Sequence, residues 1–251
     1  MPNLINYNSF FVHYDYLSYS CPRCKSGQLV SIGDTFKKEE PKYSILMRRE
    51  DWFDPEEDIH YQFTVTCECS NKKCGAFSYL SGVGGVSEEH YEGEQGYESE
   101  YIETFVINSF SPSPDLFLIP DATPEKTSEL IKGSFTLYWI DIPSAANKLR
   151  SSIDKLMDDQ KISKINKKGY TISLHDRIDL WTQKNPEHKE LEELFRIIKK
   201  IGNDGSHGDN VTKLHYLQCL KIYSVILQKL FAEDPMNVAK ELSKRINEET
   251  S

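Results

Sequence analysis

Apolar and polar residues alternate along the first half of the chain. The clearest case is the segment 59–67, whose apolar positions are Ile59, Tyr61, Phe63, Val65 and Cys67. A period of two is typical of a β-strand with one buried face. Further strands are predicted at 27–35, 77–80 and 100–107, with a loop or hairpin tip between the last two. The N-terminal half is therefore predicted to be rich in β-structure.

After Pro124 the spacing of apolar residues changes to three and four, which is typical of amphipathic helices. The predicted helices span about 124–141 and 144–159, begin after Ser173 and after Asn185, and continue with about 211–231 and 235–247. Four prolines between residues 108 and 124 predict a boundary, since proline disfavours helix interiors and central strands. We therefore expect an α+β protein with a β-rich domain at 1–110, a Pro-rich linker at 111–124 and a helical bundle at 125–251.

Composition is that of a globular protein with its own core: 38% of the 251 residues are hydrophobic and 27% are charged. The chain has no apolar run near the roughly 20 residues that span a bilayer. Its first residues lack the basic and apolar segments of a secretory signal. We therefore expect a cytoplasmic protein that does not enter a membrane.

Charge is distributed unevenly along the chain. The formal net charge of −9 argues against broad, non-specific binding of nucleic acid, which depends on neutralising phosphates. Residues 88–103 contain seven glutamates and no Lys or Arg, whereas residues 161–168 contain four lysines and no acid. Tyr91, Tyr97 and Tyr101 are interspersed with those glutamates. The acidic segment is either a recognition surface for a basic partner or a solvated hairpin.

Five cysteines occur in two places of the N-terminal half. Cys21-Pro-Arg-Cys24 has the two-residue gap with which one tight turn presents two thiolates to a single Zn²⁺. Cys69 and Cys74 form the second pair, and Cys67 is either a core residue or a substitute ligand. The pattern resembles a zinc ribbon with an insertion, and four thiolates would make a structural site because no coordination position stays open. The alternative is a set of ordinary reduced cysteines.

The segment Lys200-Ile-Gly-Asn-Asp-Gly-Ser-His207 lies between two predicted helices. It places the amide of Asn203, the carboxylate of Asp204 and the imidazole of His207 close together in sequence. We expect a junction here, because glycine often ends a helix and a junction exposes backbone N–H groups. Capping of the two helices is the alternative, purely structural role for these residues.

A zinc ribbon, a Pro-rich link at 108–112, the segment 145–154 (AANKLRSSID) and the segment 202–207 (GNDGSH) follow one another in this order. This order resembles domain-of-unknown-function family 4145 (DUF4145), over about residues 15–232. That family is similar to the HEPN superfamily of helical bundles, many of which are metal-independent RNases, toxins or anti-phage effectors. The resemblance implies an active site of Arg, Asn and His that is completed across a dimer.

The resemblance also implies roles for individual residues. His207 would donate or accept a proton, Asn203 would orient a phosphate or the imidazole, and a cation would stabilise the phosphate. In the RNases the cation is an arginine four to six residues before the histidine. Here Lys200 stands seven residues before His207, and Arg150 on another helix is the other candidate.

Two functions are therefore hypotheses. The first is an RNA- or nucleotide-directed role in anti-phage defence or as a toxin, either by binding RNA or by cleaving it as a metal-independent endoribonuclease. The second is a non-catalytic interaction module in which the ribbon and the acidic hairpin dock a protein partner. In both cases we expect a homodimer, since bundles with a helix as apolar as 211–231 often pair.

Overall fold

The computed structural model describes residues 10–12, 18–93, 96–207, 211–232 and 235–249. The chain forms two compact units. The first contains the described residues of Met1–Leu116 together with Lys132–Ala145, and the second contains Phe117–Ile131 and the described residues of Ala146–Ser251. The predicted α+β class is confirmed, because antiparallel strands build the first unit and helices build the second.

The described residues of the first unit form an antiparallel half-barrel of seven strands. The strands are β1 (Phe10–Val12), β2 (Ser18–Ser20), β3 (Gln28–Ser31), β4 (Lys37–Glu39), β5 (Tyr61–Cys69), β6 (Phe77–Gly93) and β7 (Gly96–Ser111). Their order is β1-β7-β6-β5-β3-β2, and β4 pairs with β5 beside this path. Two short helices, α1 (Lys42–Met47) and α2 (Pro55–Asp58), lie between β4 and β5.

The core of the first unit lies on one face of β5, as the alternation predicts. Phe63, Val65 and Cys67 are buried there, and the residues between them are more exposed. Phe105 from β7 packs edge-on against Phe63 with the ring centroids 5.3 Å apart. Such an edge-to-face contact adds to the stabilisation that burial of the rings provides.

The end of helix α3 (Glu125–Tyr138) belongs to the first unit. Trp139, which follows this helix, packs on the rings of Tyr19 and Phe110 at centroid distances of 5.7 and 5.1 Å. Its indole Nε1 donates a hydrogen bond to Ser113 Oγ at 3.0 Å. The contact buries a large apolar ring and satisfies its polar atom, which explains why residues 132–145 stay with the sheet.

The hairpin of β6 and β7 is longer than predicted. The sequence pattern predicts strands at 77–80 and 100–107, but the two strands pair continuously until Gly93 lies opposite Gly96. The acidic segment therefore forms strands and not a loop. Both of its faces are exposed near the tip, so no apolar face marks the period of two in the sequence.

Five α-helices follow α3 in the described part of the chain. They are α4 (Ile142–Asp159), α5 (Leu174–Lys184), α6 (Leu191–His207), α7 (Lys213–Phe231) and α8 (Pro235–Glu249). Ser173 caps α5 as predicted, since its hydroxyl accepts a hydrogen bond from the backbone N–H of Asp176 at 3.2 Å. None of the described helices combines the length and the hydropathy that a membrane span needs.

A buried arginine joins α4, α5 and the loop between them. Arg177 has no exposed surface, and its guanidinium donates to the carboxylates of Asp154 and Asp158 and to the carbonyl of Ile162. Lys164 from the loop bonds both carboxylates at 3.1 Å. Because a buried charge is tolerated only when it is paired and hydrogen-bonded, this network holds the basic loop against the two helices.

Candidate functional site

Four cysteines come together in the first unit. Cys21 follows β2, Cys24 lies in the turn before β3, Cys69 ends β5, and Cys74 lies in the turn before β6. The two turns are neighbours because β3 pairs with β5, with Leu29 opposite Cys69. The four Sγ atoms all lie within 4.8 Å of one another. The structure thus brings together the two cysteine pairs that the sequence pattern proposes as ligands.

The spacing of the sulfur atoms fits one tetrahedral metal ion. The Sγ atoms of Cys21 and Cys74 are 3.8 Å apart, and those of Cys24 and Cys69 are 3.6 Å apart. Tetrahedral ligands at a Zn–S distance of about 2.3 Å lie about 3.8 Å from each other. Four cysteines in this arrangement can hold a metal ion, and they fill all four of its positions.

Hydrogen bonds and a close approach shape the cysteine turns. The N–H of Gly27 donates to Cys24 Sγ at 3.3 Å, and a Cβ at Gly27 would lie 2.5 Å from Cys69 Sγ. Only glycine therefore lets the two turns meet at this point. Hydrogen bonds from Ser26 and Gly27 lower the pKa of Cys24 to about 6, whereas desolvation raises the pKa of Cys69 to about 12. A bound cation would favour the thiolate form of all four cysteines.

Cys67, the alternative ligand, is not part of this cluster. It is fully buried on β5, two residues before Cys69, and burial raises the pKa of its thiol to about 12. Its surroundings are the apolar core of the half-barrel, in which a free cysteine packs as a small hydrophobic residue. The structure therefore separates Cys67 from the four cysteines whose sulfur atoms meet.

Helix α6 continues through the segment that the sequence predicts as a junction, and that prediction was wrong. The helix runs from Leu191 to His207, so Gly202 lies inside it and does not end it. A Cβ at Gly202 would lie 2.4 Å from the Cβ of Arg150 and 2.9 Å from the carbonyl oxygen of Ala146. The glycine is needed because α6 approaches α4 this closely, and the packing offsets its low helix propensity.

The same contact places Arg150 against the turn of α6 that contains Gly202. Arg150 is half-buried, and its Nε donates to Asn147 Oδ1 at 3.4 Å. Within the described part of the chain, no carboxylate lies within 4.0 Å of its guanidinium. Other arginines do pair with carboxylates, namely Arg48, Arg177 and Arg196. Among the described residues, no carboxylate therefore competes with a ligand for the N–H donors of Arg150.

The other candidate residues lie on α6 itself. Lys200 is exposed and Asn203 is half-buried, and helical spacing puts Lys200, Asn203 and His207 on one side of the helix. The backbone of His207 ends α6, but its side chain lies outside the described residues. Lys199 is half-buried and precedes Gly202 by three residues, so the two positions are neighbours on the helix surface. The sequence patterns did not identify Lys199 as a candidate.

An apolar groove lies between α6 and α7. Its volume is about 350 Å³, and its apolar lining includes Ile197, Ile201, Cys219 and Ile222. Leu214 and Val225 continue the same face of α7 and are 63% and 42% exposed. The apolarity of this helix is the basis of the expected homodimer, but the sequence does not show that α6 and α7 form a groove.

Two family descriptions match the chain, one in each half. Residues 133–249 match the family described as Domain of unknown function (DUF4145), which confirms the resemblance for that region. Residues 9–110 match a different family, Domain of unknown function (DUF8608), so the resemblance to DUF4145 does not extend over the N-terminal half. The chain matches no curated protein and no solved structure. The chain therefore has a region similar to DUF8608, with a cluster of four cysteines, followed by a region similar to DUF4145.

Proposed function

We propose that this is a zinc-binding protein whose helical region binds the phosphate groups of RNA or of a nucleotide at Arg150. The observation that carries the proposal is the half-buried Arg150 guanidinium, which lies beside α6 without a carboxylate within 4.0 Å among the described residues. An arginine in this position can offer a phosphate two parallel, charge-assisted hydrogen bonds.

Zinc is the metal that suits the cysteine cluster best. Four thiolates in a tetrahedral arrangement are the soft ligand set that structural Zn²⁺ sites use, and the distances between the sulfur atoms match. Bound zinc would supply the positive charge that keeps the thiols ionised and would cross-link the two turns. The folding of the first unit would then depend on the metal.

Phosphate would be bound by residues of α4 and α6 together. Arg150 would contact two phosphate oxygens, Lys199 would add positive charge, and the side-chain amide of Asn203 would donate a further hydrogen bond. Because the chain carries a net charge of −9, the binding has to be local. About two phosphate contacts with single-stranded RNA imply that log K falls with log[salt] with a slope of about −1.4.

Cleavage of the bound RNA is the catalytic form of this proposal. His207 would transfer the proton at the attacking 2′-hydroxyl or at the leaving oxygen, and Arg150 would stabilise the negative charge on phosphorus. These steps need no metal ion, so the protein would act as a metal-independent endoribonuclease. A defence or toxin-like role would follow from such an activity.

Binding is tested with fluorescently labelled single-stranded RNA, whose anisotropy reports the complex. We expect Arg150→Ala to weaken binding at least tenfold, since hydrogen bonds to charged groups contribute about 1.5–3 kcal/mol. Arg150→Lys should recover part of the affinity because it restores the charge. The matched control is Arg245→Ala, which removes an exposed arginine from α8 and should change affinity less than about twofold. Equal binding by Arg150→Ala and the wild type would contradict the proposal.

Cleavage is tested on transfer RNA and a structured messenger RNA. The buffer lacks magnesium. Its EDTA concentration is kept low enough that the zinc content of the protein does not change. Cleavage by the wild type and by the control His175→Ala, but not by His207→Ala, would support catalysis. His175 is a suitable control because it lies half-exposed at the start of α5. RNA that stays intact with all three proteins would reduce the proposal to binding.

The groove between α6 and α7 favours a second function, protein interaction through a homodimer. Exposed apolar surface of this kind is typical of interaction sites, and a second copy of the chain would cover Leu214 and Val225. We expect the wild type to sediment as a dimer and Ile222→Lys to sediment as a monomer. Leu180→Lys, which alters an exposed leucine on α5, should stay dimeric. A monomeric wild type would contradict this function.

A further inference from the structure

The paired strands β6 and β7 extend beyond the rest of the half-barrel. β6 pairs with β5 only as far as Gly84, and β7 pairs with β1 only as far as Thr104. Further out, among the described strands, they pair only with each other. This outer part, residues 86–93 and 96–103, is called the arm. Among the described residues, the β7 edge of the arm therefore has no strand partner and can accept an additional strand.

The base of the arm is held in place by side chains of the first unit. The carboxylate of Glu56 on α2 accepts hydrogen bonds from the backbone N–H of Glu88 at 2.8 Å and from Ser87 Oγ at 3.3 Å. Lys38 on β4 forms an ion pair with Glu103. The described residues between these anchors and the tip, at 89–92 and 96–101, are all exposed.

The cross-strand pairs of the arm are not those that stabilise an isolated hairpin. Each tyrosine lies opposite a glutamate, in the pairs Tyr91–Glu98, Tyr97–Glu92 and Tyr101–Glu88. Glu89 lies directly opposite Glu100. Like charges in directly opposed positions destabilise an antiparallel pair, and a two-stranded ribbon is marginally stable even without them. Glu88 and Glu92 lie on the same face as Tyr97 and Tyr101, whereas Glu89 and Glu100 lie on the other face. A cationic ligand over these two rings therefore meets Glu88 and Glu92.

The tyrosines are a second, independent feature of the arm. The exposed fraction is 89% for Tyr97 and 52% for Tyr101, and both rings lie on the same face because they are four residues apart on one strand. Exposed tyrosines are enriched where proteins meet, since the ring offers a large apolar surface and a polar end. Their faces also attract ammonium and guanidinium groups.

Other charged ligands fit this surface poorly. In the part of the chain that the structure describes, the four cysteines form the one group of three or more side chains that can hold a metal ion, and the arm contributes nothing to it. Phosphate groups would be repelled by the carboxylates of the arm. A polypeptide with several Lys or Arg side chains can pair with the carboxylates of the arm and also contact its tyrosine rings.

We propose that the arm docks an extended, lysine- or arginine-rich segment of another protein. Tyr97 and Tyr101 are separated by about 13 Å along their strand, at about 3.3 Å per residue. An extended peptide repeats at the same rise, so cations four residues apart lie over the two rings. Glu92 lies opposite Tyr97 and Glu88 lies opposite Tyr101 on the same face, so each of these cations also meets a carboxylate, while the peptide backbone pairs with the edge of β7. This interaction is independent of phosphate binding at Arg150.

The test uses the full-length protein and a labelled peptide of alternating lysine and threonine, about ten residues long so that it spans the arm. A peptide with glutamate in place of lysine is the matched ligand control. Binding is followed by fluorescence anisotropy at low salt and at physiological salt, because exposed charges are screened as the salt rises. We expect the lysine peptide to bind, with lower affinity at the higher salt, and the glutamate peptide not to bind.

Variants then separate the rings from the charges. Tyr97→Ser combined with Tyr101→Ser leaves the charge unchanged and should weaken binding about tenfold, since each exposed cation–π contact contributes a factor of about two to five. Glu92→Gln, which removes the carboxylate opposite Tyr97, should weaken it about threefold at low salt. Tyr170→Ser, which alters a tyrosine of the second unit that is 68% exposed, should bind like the wild type.

Three results would overturn the proposal: no binding of the lysine peptide by the wild type, equal binding of the glutamate peptide, or full affinity in the double tyrosine variant. The substituted residues are exposed, so circular dichroism and thermal unfolding of the variants should match the wild type. Binding of RNA by the arm variants should also be unchanged. Failure of this proposal is therefore distinguishable from failure of the phosphate site.

Discussion

Replacing Gly202 by alanine tests the packing of α6 on α4 with the smallest side chain that has a Cβ. The new Cβ would lie 2.4 Å from the Cβ of Arg150 and 2.9 Å from the carbonyl oxygen of Ala146. Carbon atoms in favourable contact are about 3.5–4.0 Å apart, so both distances are strongly repulsive. Neither opposing atom is at the end of a flexible side chain. The two helices must therefore move apart to accept the methyl group.

Two effects of opposite sign determine the stability of Gly202→Ala. Alanine is favoured over glycine in a helix by about 1 kcal/mol. Overpacking a close contact costs about 1–3 kcal/mol, and the upper part of that range applies because one of the opposing atoms belongs to the backbone. We therefore expect a net loss of about 1–2 kcal/mol in the free energy of unfolding, measured by urea denaturation with an unchanged m-value.

A double-mutant cycle shows whether the loss comes from the predicted contact. Arg150→Gly removes the Cβ that lies nearest to Gly202, so the double variant should be more stable than the sum of the single effects by about 1 kcal/mol. Additive effects, or a Gly202→Ala variant as stable as the wild type, would refute the argument that the helices touch here. The displaced Arg150 should also lower the affinity of Gly202→Ala for RNA severalfold.

Three further outcomes follow from other parts of the structure. In metal analysis of the purified proteins, Cys24→Ser should contain little zinc, whereas Cys67→Ser should contain as much as the wild type. Equal zinc contents in the two variants would contradict a site made by the four clustered cysteines. Arg177→Met should lower the free energy of unfolding by about 3 kcal/mol, because two carboxylates lose their buried partner, and a change below about 1 kcal/mol in urea would count against that network. Desolvation raises the pKa of Asp158, but hydrogen bonds from Lys164 and Arg177 outweigh it, so the pKa is lowered on folding. The folded state then binds this proton less readily than the unfolded chain, so the carboxylate stabilises the fold above about pH 4 and this contribution is lost as the pH falls through the lowered pKa. Acid unfolding of Lys164→Met should therefore depend less steeply on pH than that of the wild type, and identical profiles would speak against the ion pair.

Elements with one buried face were the predictable part of the fold. In β5, every second residue from Phe63 to Cys67 is buried, and this burial is what the alternation reports. The outer part of β6 and β7 has no such face, because consecutive residues such as Tyr97 and Glu98, which point to opposite sides of the ribbon, are both exposed. Its strands are held by pairing with each other, which leaves no hydrophobic pattern to detect.

The cysteine cluster was also predictable, for a different reason. The two-residue gap between Cys21 and Cys24 is set by the local geometry of one turn, so the sequence itself carries the signal. The sequence does not show which cysteine completes the second pair, because Cys67 and Cys69 lie on the same side of β5. The partner strand decides this, since its pairing brings the turn with Cys24 next to Cys69 and leaves Cys67 in the core.

The surroundings of Arg150, the proposed phosphate site, could not be predicted from sequence patterns. A glycine that ends a helix and a glycine that lets two helices touch look the same in sequence, and they differ only in the atoms that face them. At Gly202 those atoms belong to Ala146 and Arg150 on α4. The small side chain of Ala146 is the one local sign of a close approach, and it identifies no partner. The resemblance to DUF4145 indicated that Arg150 matters, but only the packing of α6 on α4 explains why an arginine lies at this turn without a carboxylate from the described residues beside it.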